Sequence, residues 1–122
     1  MGRKTPPFPA YPAWTTSKFW SFLRSGLRSK WNRWPPKYIV LNRARRLKPK
    51  NKVGRHKYEY KCNKCKRFYQ GKEVSVDHIV PVGGLNKLED IPQFVENLFC
   101  HEDNLQVLCK TCHDKKTQED KL

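Results

Sequence analysis

The chain has 122 residues, a formal net charge of +15, nine prolines and a mean hydropathy of −0.90. So much charge and proline on so short a chain excludes a large apolar core, and no apolar run approaches the roughly 18 residues that a membrane span needs. What these numbers leave is one small domain with an appendage, stapled by something other than hydrophobic burial, such as a metal.

The charge is unevenly distributed. Residues 1–61 carry 17 Lys and Arg against one acid, Glu59, whereas residues 62–122 carry 9 against 10 acids. A strongly basic half joined to a near-neutral half points to a polyanionic partner, most naturally nucleic acid. A solvated basic face or an anionic membrane surface accounts for the same charge less well. The first residues, "MGRKTPPFPAYP", are basic and proline-rich with no apolar h-region, so no secretory signal is expected and a cytoplasmic location follows.

In chain order, residues 1–14 read as an extended Pro/aromatic arm (Pro6, Pro7, Pro9, Pro12). A helix should follow, capped by Thr15, Thr16 or Ser17, with Phe19, Phe22, Leu23, Leu27, Trp31 and Trp34 at helical spacing. Pro35 and Pro36 should end it. A second helix is expected over about Lys37 to Leu47, with Tyr38, Leu41, Ala44 and Leu47 on one side. Aromatics on a basic helix can stack on bases, but they more often pack inward while the charges face phosphate. Arg24, Arg28, Lys30, Arg33, Arg43, Arg45 and Arg46 are the candidate DNA contacts, and residues 1–57 form a basic extension.

After the basic linker 48–57 the texture changes, and residues 58–122 read as a second unit. "YEYKCNKCKRFY" suggests a metal-knuckle turn between short strands, and "EVSVDHIVPV" alternates like a strand ending near His78. Gly83-Gly84 marks a loop. The stretch "LEDIPQFVENLFCHED" reads as a longer connection with room for a helical turn before a strand at "NLQVL", and the polar tail "CKTCHDKKTQEDKL" reads as a short helix.

Cys62-x2-Cys65 and Cys109-x2-Cys112 are matched pairs with 43 residues between them. Each C-x-x-C turn offers two thiolates at the bite that tetrahedral Zn²⁺ takes, so together they make a closed, structural four-cysteine zinc site. Disulfides are disfavoured in a reducing compartment. C-x-x-C-H at Cys109–His113 is also a c-type haem attachment string, but haem would leave Cys62 and Cys65 without a role. Cys100 has no C-x-x-C partner and reads as a buried core residue.

Between and beside these pairs lie Asp77, His78, Asn104 and His113. Each is weak evidence alone, but in this order and inside this frame they form a constellation. "VDHIVPV" followed by "DNLQVLCKTCHDKKT" resembles the HNH endonuclease family, the zinc-stapled branch of the ββα-metal nucleases, over roughly residues 58–120. The basic first half is more loosely similar to extensions on small phage-borne HNH proteins. The resemblance implies an α+β fold, a small ββα-metal nuclease domain behind an N-terminal basic helical extension. It also implies metal-dependent cleavage of a DNA phosphodiester, leaving 5′-phosphate and 3′-hydroxyl ends.

Carried over by position, the family roles make His78 the general base and Asp77 the first catalytic-metal ligand. Asn104 becomes the asparagine that fixes the base's backbone, and His113 the second metal ligand. Some relatives place a third ligand one helical turn later, where this chain has Thr117. The residue types suit the chemistry independently: histidine is the natural base at neutral pH, and a carboxylate with an imidazole suits Mg²⁺, Mn²⁺ or a later transition metal. Lys115 and Lys116 could touch phosphate or simply end a solvated helix, while His56 and His101 are expected to be non-catalytic. A zinc-ribbon nucleic-acid-binding module without catalysis is the alternative, and it would need the cysteines but not Asp77, His78 or His113. A homodimer or phage packaging proteins are candidate partners, with homing the other role to weigh.

Overall fold

The computed structural model describes residues 11–50, 54 and 57–121. Most of the Pro/aromatic arm, the centre of the basic linker and His56 lie outside them. Among the described residues four α-helices and five strands follow one another: α1 (Thr16–Trp31), α2 (Pro35–Ala44), β1 (Arg45–Leu47), β2 (Tyr58–Lys61), β3 (Phe68–Tyr69), β4 (Val74–His78), α3 (Ile91–Leu98), β5 (Leu105–Cys109) and α4 (Lys110–Lys121). Mixed helix and small sheets make this the expected α+β architecture.

Helix α1 begins where the sequence marks it, with the Thr15 hydroxyl accepting from the Lys18 amide at 3.1 Å. It ends at Trp31, three residues earlier than the stripe implies, and Trp34 instead caps the start of α2. Pro35 and Pro36 therefore open a helix, because a first turn has no use for the N–H that proline lacks. Within α1 the buried aromatic is Trp20, 5% exposed, whereas Phe22 is 61% exposed. Trp20 packs with Val82, Leu85, Phe94 and Leu98, and Phe19, Leu23, Leu27 and Trp31 join that cluster from the same helix. The aromatics of α1 thus chiefly bind the basic extension to the rest of the chain.

Helix α2 stops at Ala44, not Leu47. Arg45 turns extended (φ −82°, ψ 140°), and Arg45–Leu47 pairs antiparallel with Tyr58–Lys61, Arg46 opposite Glu59. The competing force is tertiary: β2 has an unpaired edge, and buried Glu59 receives the Arg46 guanidinium at 2.6 Å. The basic extension therefore contributes a strand to the sheet β1-β2-β3.

Strands β4 and β5 form a second, two-stranded sheet, with Asp77 opposite Gln106 and His78 opposite Leu105. Val76, Leu105 and Val107 on one face pack against Val40, Leu41 and Ala44 of α2. The segment read as a longer connection with room for a helical turn contains the two-turn helix α3, whose Phe94 and Leu98 are buried on one side. Cys100 is only partly buried, at the margin of the β4–β5 cluster.

Candidate functional site

The four paired cysteines converge. Cys62 follows β2, Cys65 sits in the turn toward β3, Cys109 ends β5 and Cys112 lies in the first turn of α4. Their sulfurs all lie within 4.8 Å of one another, and Cys65 Sγ is 4.0 Å from Cys109 Sγ. A tetrahedral cage with metal–sulfur bonds of about 2.3 Å has sulfur–sulfur edges of about 3.8 Å, so the sulfurs stand where one small cation would gather them. The knuckle is shaped for this. Lys66 adopts φ 65°, in the left-handed region, as its amide turns back to the Cys62 carbonyl, and the Asn63 amide donates to Val107 O at 2.8 Å, joining the knuckle to β5.

The thiols are pulled in opposite directions. Burial opposes ionisation of Cys62, but backbone hydrogen bonds from Cys109, Cys65 and Lys64 outweigh it and bring the group down to about 6. The Tyr69 hydroxyl, 3.3 Å from Cys65 Sγ, lowers Cys65 as well. The hydrogen bond with Cys109 is the main cause that pushes Cys112 up to about 12. Thiolates this crowded repel, and a divalent cation is what lets all four ionise together.

Next to the clip lies a cleft of about 430 Å³ lined by Asp77, His78, His113 and Lys116, with Arg28 and Trp31 of α1 on its other wall. Adjacent strand residues point to opposite faces, and Asp77 and His78 do so. Asp77 turns toward α4, its Oδ1 3.8 Å from His113 Nε2 and its Oδ2 3.2 Å from Lys116 Nζ. Gln106, its cross-strand partner, donates to Asp77 Oδ2 at 3.2 Å and accepts from Asn63 Nδ2 at 2.8 Å. His78 turns toward the helices. Its Nε2 lies 2.9 Å from the Leu98 carbonyl oxygen, and its ring centroid is 4.9 Å from that of Trp31. The cleft opens at the end of β4, so both faces of the strand reach it.

Asn104 lies across the loop after β4. Its Oδ1 accepts from the Val80 amide at 2.9 Å, and its backbone carbonyl accepts from the Ile79 amide at 2.8 Å. Thr117 donates its hydroxyl to the His113 carbonyl at 3.0 Å. His101 is exposed, lies outside the cleft lining and holds the Asp103 amide.

Of the seven basic residues singled out for DNA, Arg28 lines the cleft. Arg24 donates to the Leu85 carbonyl at 2.7 Å, Arg43 pairs with Glu102 at 2.8 Å and Arg45 stacks over Tyr58. Arg46 is bound to Glu59 and lies over Phe68. Lys30 and Arg33 are exposed. Gln106 and the Leu98 carbonyl were not legible as site groups, since only the β4–β5 register and the packing of α3 bring them there.

Residues 62–119 match the family model described as HNH endonuclease. Over 58 residues the chain is 45% identical to a protein of Lactococcus phage SK1 named "Probable HNH endonuclease", an alignment covering 48% of this chain and 54% of that relative. The chain thus spans about half the length of the curated relative it matches. No solved structure shows a significant match. The segment matched by the family model runs from the first clip cysteine, through every polar cleft residue of β4, into α4. Over residues 62–119, then, both comparisons make the chain similar to the HNH endonuclease family.

Proposed function

We propose that this chain is a metal-dependent DNA endonuclease that hydrolyses a phosphodiester bond with His78 as general base. The observation that carries this is the meeting of Asp77, His78 and His113, from two elements, in one cleft walled by a basic helix. A carbonyl oxygen can only accept, so the His78 hydrogen sits on Nε2 toward Leu98 O, and Nδ1 keeps the lone pair that removes a proton from water. The Trp31 ring and the Leu98 carbonyl hold the imidazole, while Asn104 pins Ile79 and Val80 so that the strand end cannot drift.

Asp77 Oδ1 and His113 Nε2, 3.8 Å apart, fit a shared cation, since two bonds of about 2.1 Å can bridge that span. Mg²⁺ or Mn²⁺ suits the donors best, with another transition metal the next choice. Such an ion would neutralise charge on the scissile phosphate and shield the leaving 3′ oxygen. The cysteine clip would hold structural Zn²⁺ one residue before His113, which anchors that ligand against β5.

The basic extension would supply phosphate contacts and salt-sensitive affinity without sequence information. One cleft cuts one strand, so double-strand cleavage requires a second copy or a second encounter. The phage relative is compatible with action on DNA in a host cytoplasm. The test is a supercoiled-plasmid assay with Mg²⁺, Mn²⁺ or EDTA on wild type and His78→Ala. Nicking or linearisation is expected, with EDTA abolishing it and His78→Ala slowing it about 10²- to 10⁴-fold. Intact plasmid with every metal, beside salt-sensitive gel shifts, would instead leave a zinc-stapled DNA-binding protein.

A further inference from the structure

The cleft contains a cation of its own. Lys116 Nζ lies 3.2 Å from Asp77 Oδ2 and 3.0 Å from the His78 carbonyl oxygen, and its side chain is 18% exposed. It leaves α4 three residues after His113, so ammonium and imidazole flank one carboxylate from the same helix face. Gln106 also donates to Oδ2, which leaves Oδ1 toward His113 Nε2. The Asp77 carboxylate is offset by the Lys116 ammonium before any divalent ion arrives, and Arg28 across the cleft adds a further positive charge. Two protein ligands with no net negative charge hold a divalent cation weakly, because Coulomb attraction is the main return for its lost hydration. The missing negative charge is what a DNA phosphate carries.

We propose that Lys116 makes occupancy of the Asp77–His113 cation site depend on bound nucleic acid. The inference rests on the nuclease assignment of this cleft. The ammonium competes for Asp77 and repels a divalent ion until a phosphate enters and offsets both charges. Cation and DNA then bind cooperatively, and by linkage each strengthens the other by the same factor. Lys116 is a positioning residue here, acting through Asp77 and the His78 carbonyl. An enzyme built this way takes up its catalytic cation on the substrate and not in free solution.

The experiment measures Mn²⁺ binding by the electron paramagnetic resonance signal of the free ion. It uses zinc-loaded full chain carrying His78→Ala, so that cutting of a short duplex DNA is slow on the timescale of the titration. DNA should tighten Mn²⁺ binding at least about fivefold, the lower end of typical couplings. Lys116→Met should tighten DNA-free Mn²⁺ binding by at least about fivefold and shrink the DNA effect, while Lys116→Arg should keep the original behaviour. Unchanged or weaker DNA-free binding in a folded Lys116→Met protein overturns the proposal, as does a DNA effect of undiminished size. Should Lys116→Met lose its far-UV circular dichroism, Lys116→Gln, which retains a donor for the His78 carbonyl, is judged by the same two criteria. Plasmid cleavage by the wild type is scored separately. Its absence removes the nuclease reading, whereas normal cleavage with uncoupled Mn²⁺ binding removes only the role of Lys116.

Discussion

The cysteine clip takes its four sulfurs from two turns, Cys62–Cys65 and Cys109–Cys112, each fixed by local spacing. The cleft beside it draws Asp77 and His78 from β4, His113 and Lys116 from α4 and a wall from α1, with Gln106 of β5 bonded to Asp77 from outside the lining. The clip is a closed set of like ligands, and closing it joins the β2–β3 knuckle to the start of α4. The cleft is an open set of unlike groups, and its β4 pair is oriented by neighbours distant in sequence, Leu98 for His78 and Gln106 for Asp77. Closed sites spend their ligands on holding the fold together, and open sites keep a face for substrate. The difference predicts that damage to the clip shows first in stability and damage to the cleft first in chemistry.

The largest effect should come from the clip. Structural zinc contributes about 10–16 kcal/mol of apparent binding free energy in zinc-finger peptides, and it is folding free energy. Chelation, or Cys109→Ser, should therefore abolish the cooperative melt followed by far-UV circular dichroism, with DNA cleavage lost as a consequence. A melt that survives zinc removal would make the clip dispensable and erase the contrast.

A middle-sized effect is expected at Gln106. Its amide is oriented by Asn63, inside the knuckle, so that its N–H meets Asp77 Oδ2. Gln106→Leu removes that donor while leaving the strand apolar and well filled. Groups that orient a metal ligand typically cost about 10- to 100-fold in metal affinity or activity when lost. Cleavage should fall by that factor with the melting temperature nearly unchanged, and raised Mn²⁺ should recover part of it. A stability loss with normal cleavage would place Gln106 with the clip instead.

The same contrast decides what could be read from the sequence. The C-x-x-C pairs, the Thr15 cap and the alternation through Val74–His78 are local signals, and the corresponding elements stand where those signals put them. Arg45–Leu47 was not readable, because its composition continues a helix and only the open edge of β2 makes it a strand. Nor was the exchange of Trp20 for Phe22 as the buried aromatic of α1, which depends on where Val82, Leu85 and Phe94 sit. Asp77, His78 and His113 of the cleft, and Asn104 across the loop beside it, could be singled out by type and order. Their orienting partners could not, since register and packing are not written in any one segment.

The smallest expected effect separates the basic residues that hold the fold from those that face a phosphate. Arg46 is committed to Glu59, which is 4% exposed, and stacks on Phe68. Arg28 is exposed on α1 and lines the cleft opposite Asp77 and His78. A phosphate contact contributes about 0.9 to the slope of log affinity against log salt. Arg28→Gln should lower that slope by about one contact and weaken DNA binding a few-fold at low salt, with the melting temperature unchanged. Arg46→Gln should do the reverse, since it removes an ion pair from a buried carboxylate and no phosphate contact. Titrating a fixed duplex across several salt concentrations for both variants reads slope and affinity together. Equal slopes for Arg28→Gln and wild type would move the DNA path off the α1 wall, toward exposed Lys30 and Arg33 or away from this helix altogether.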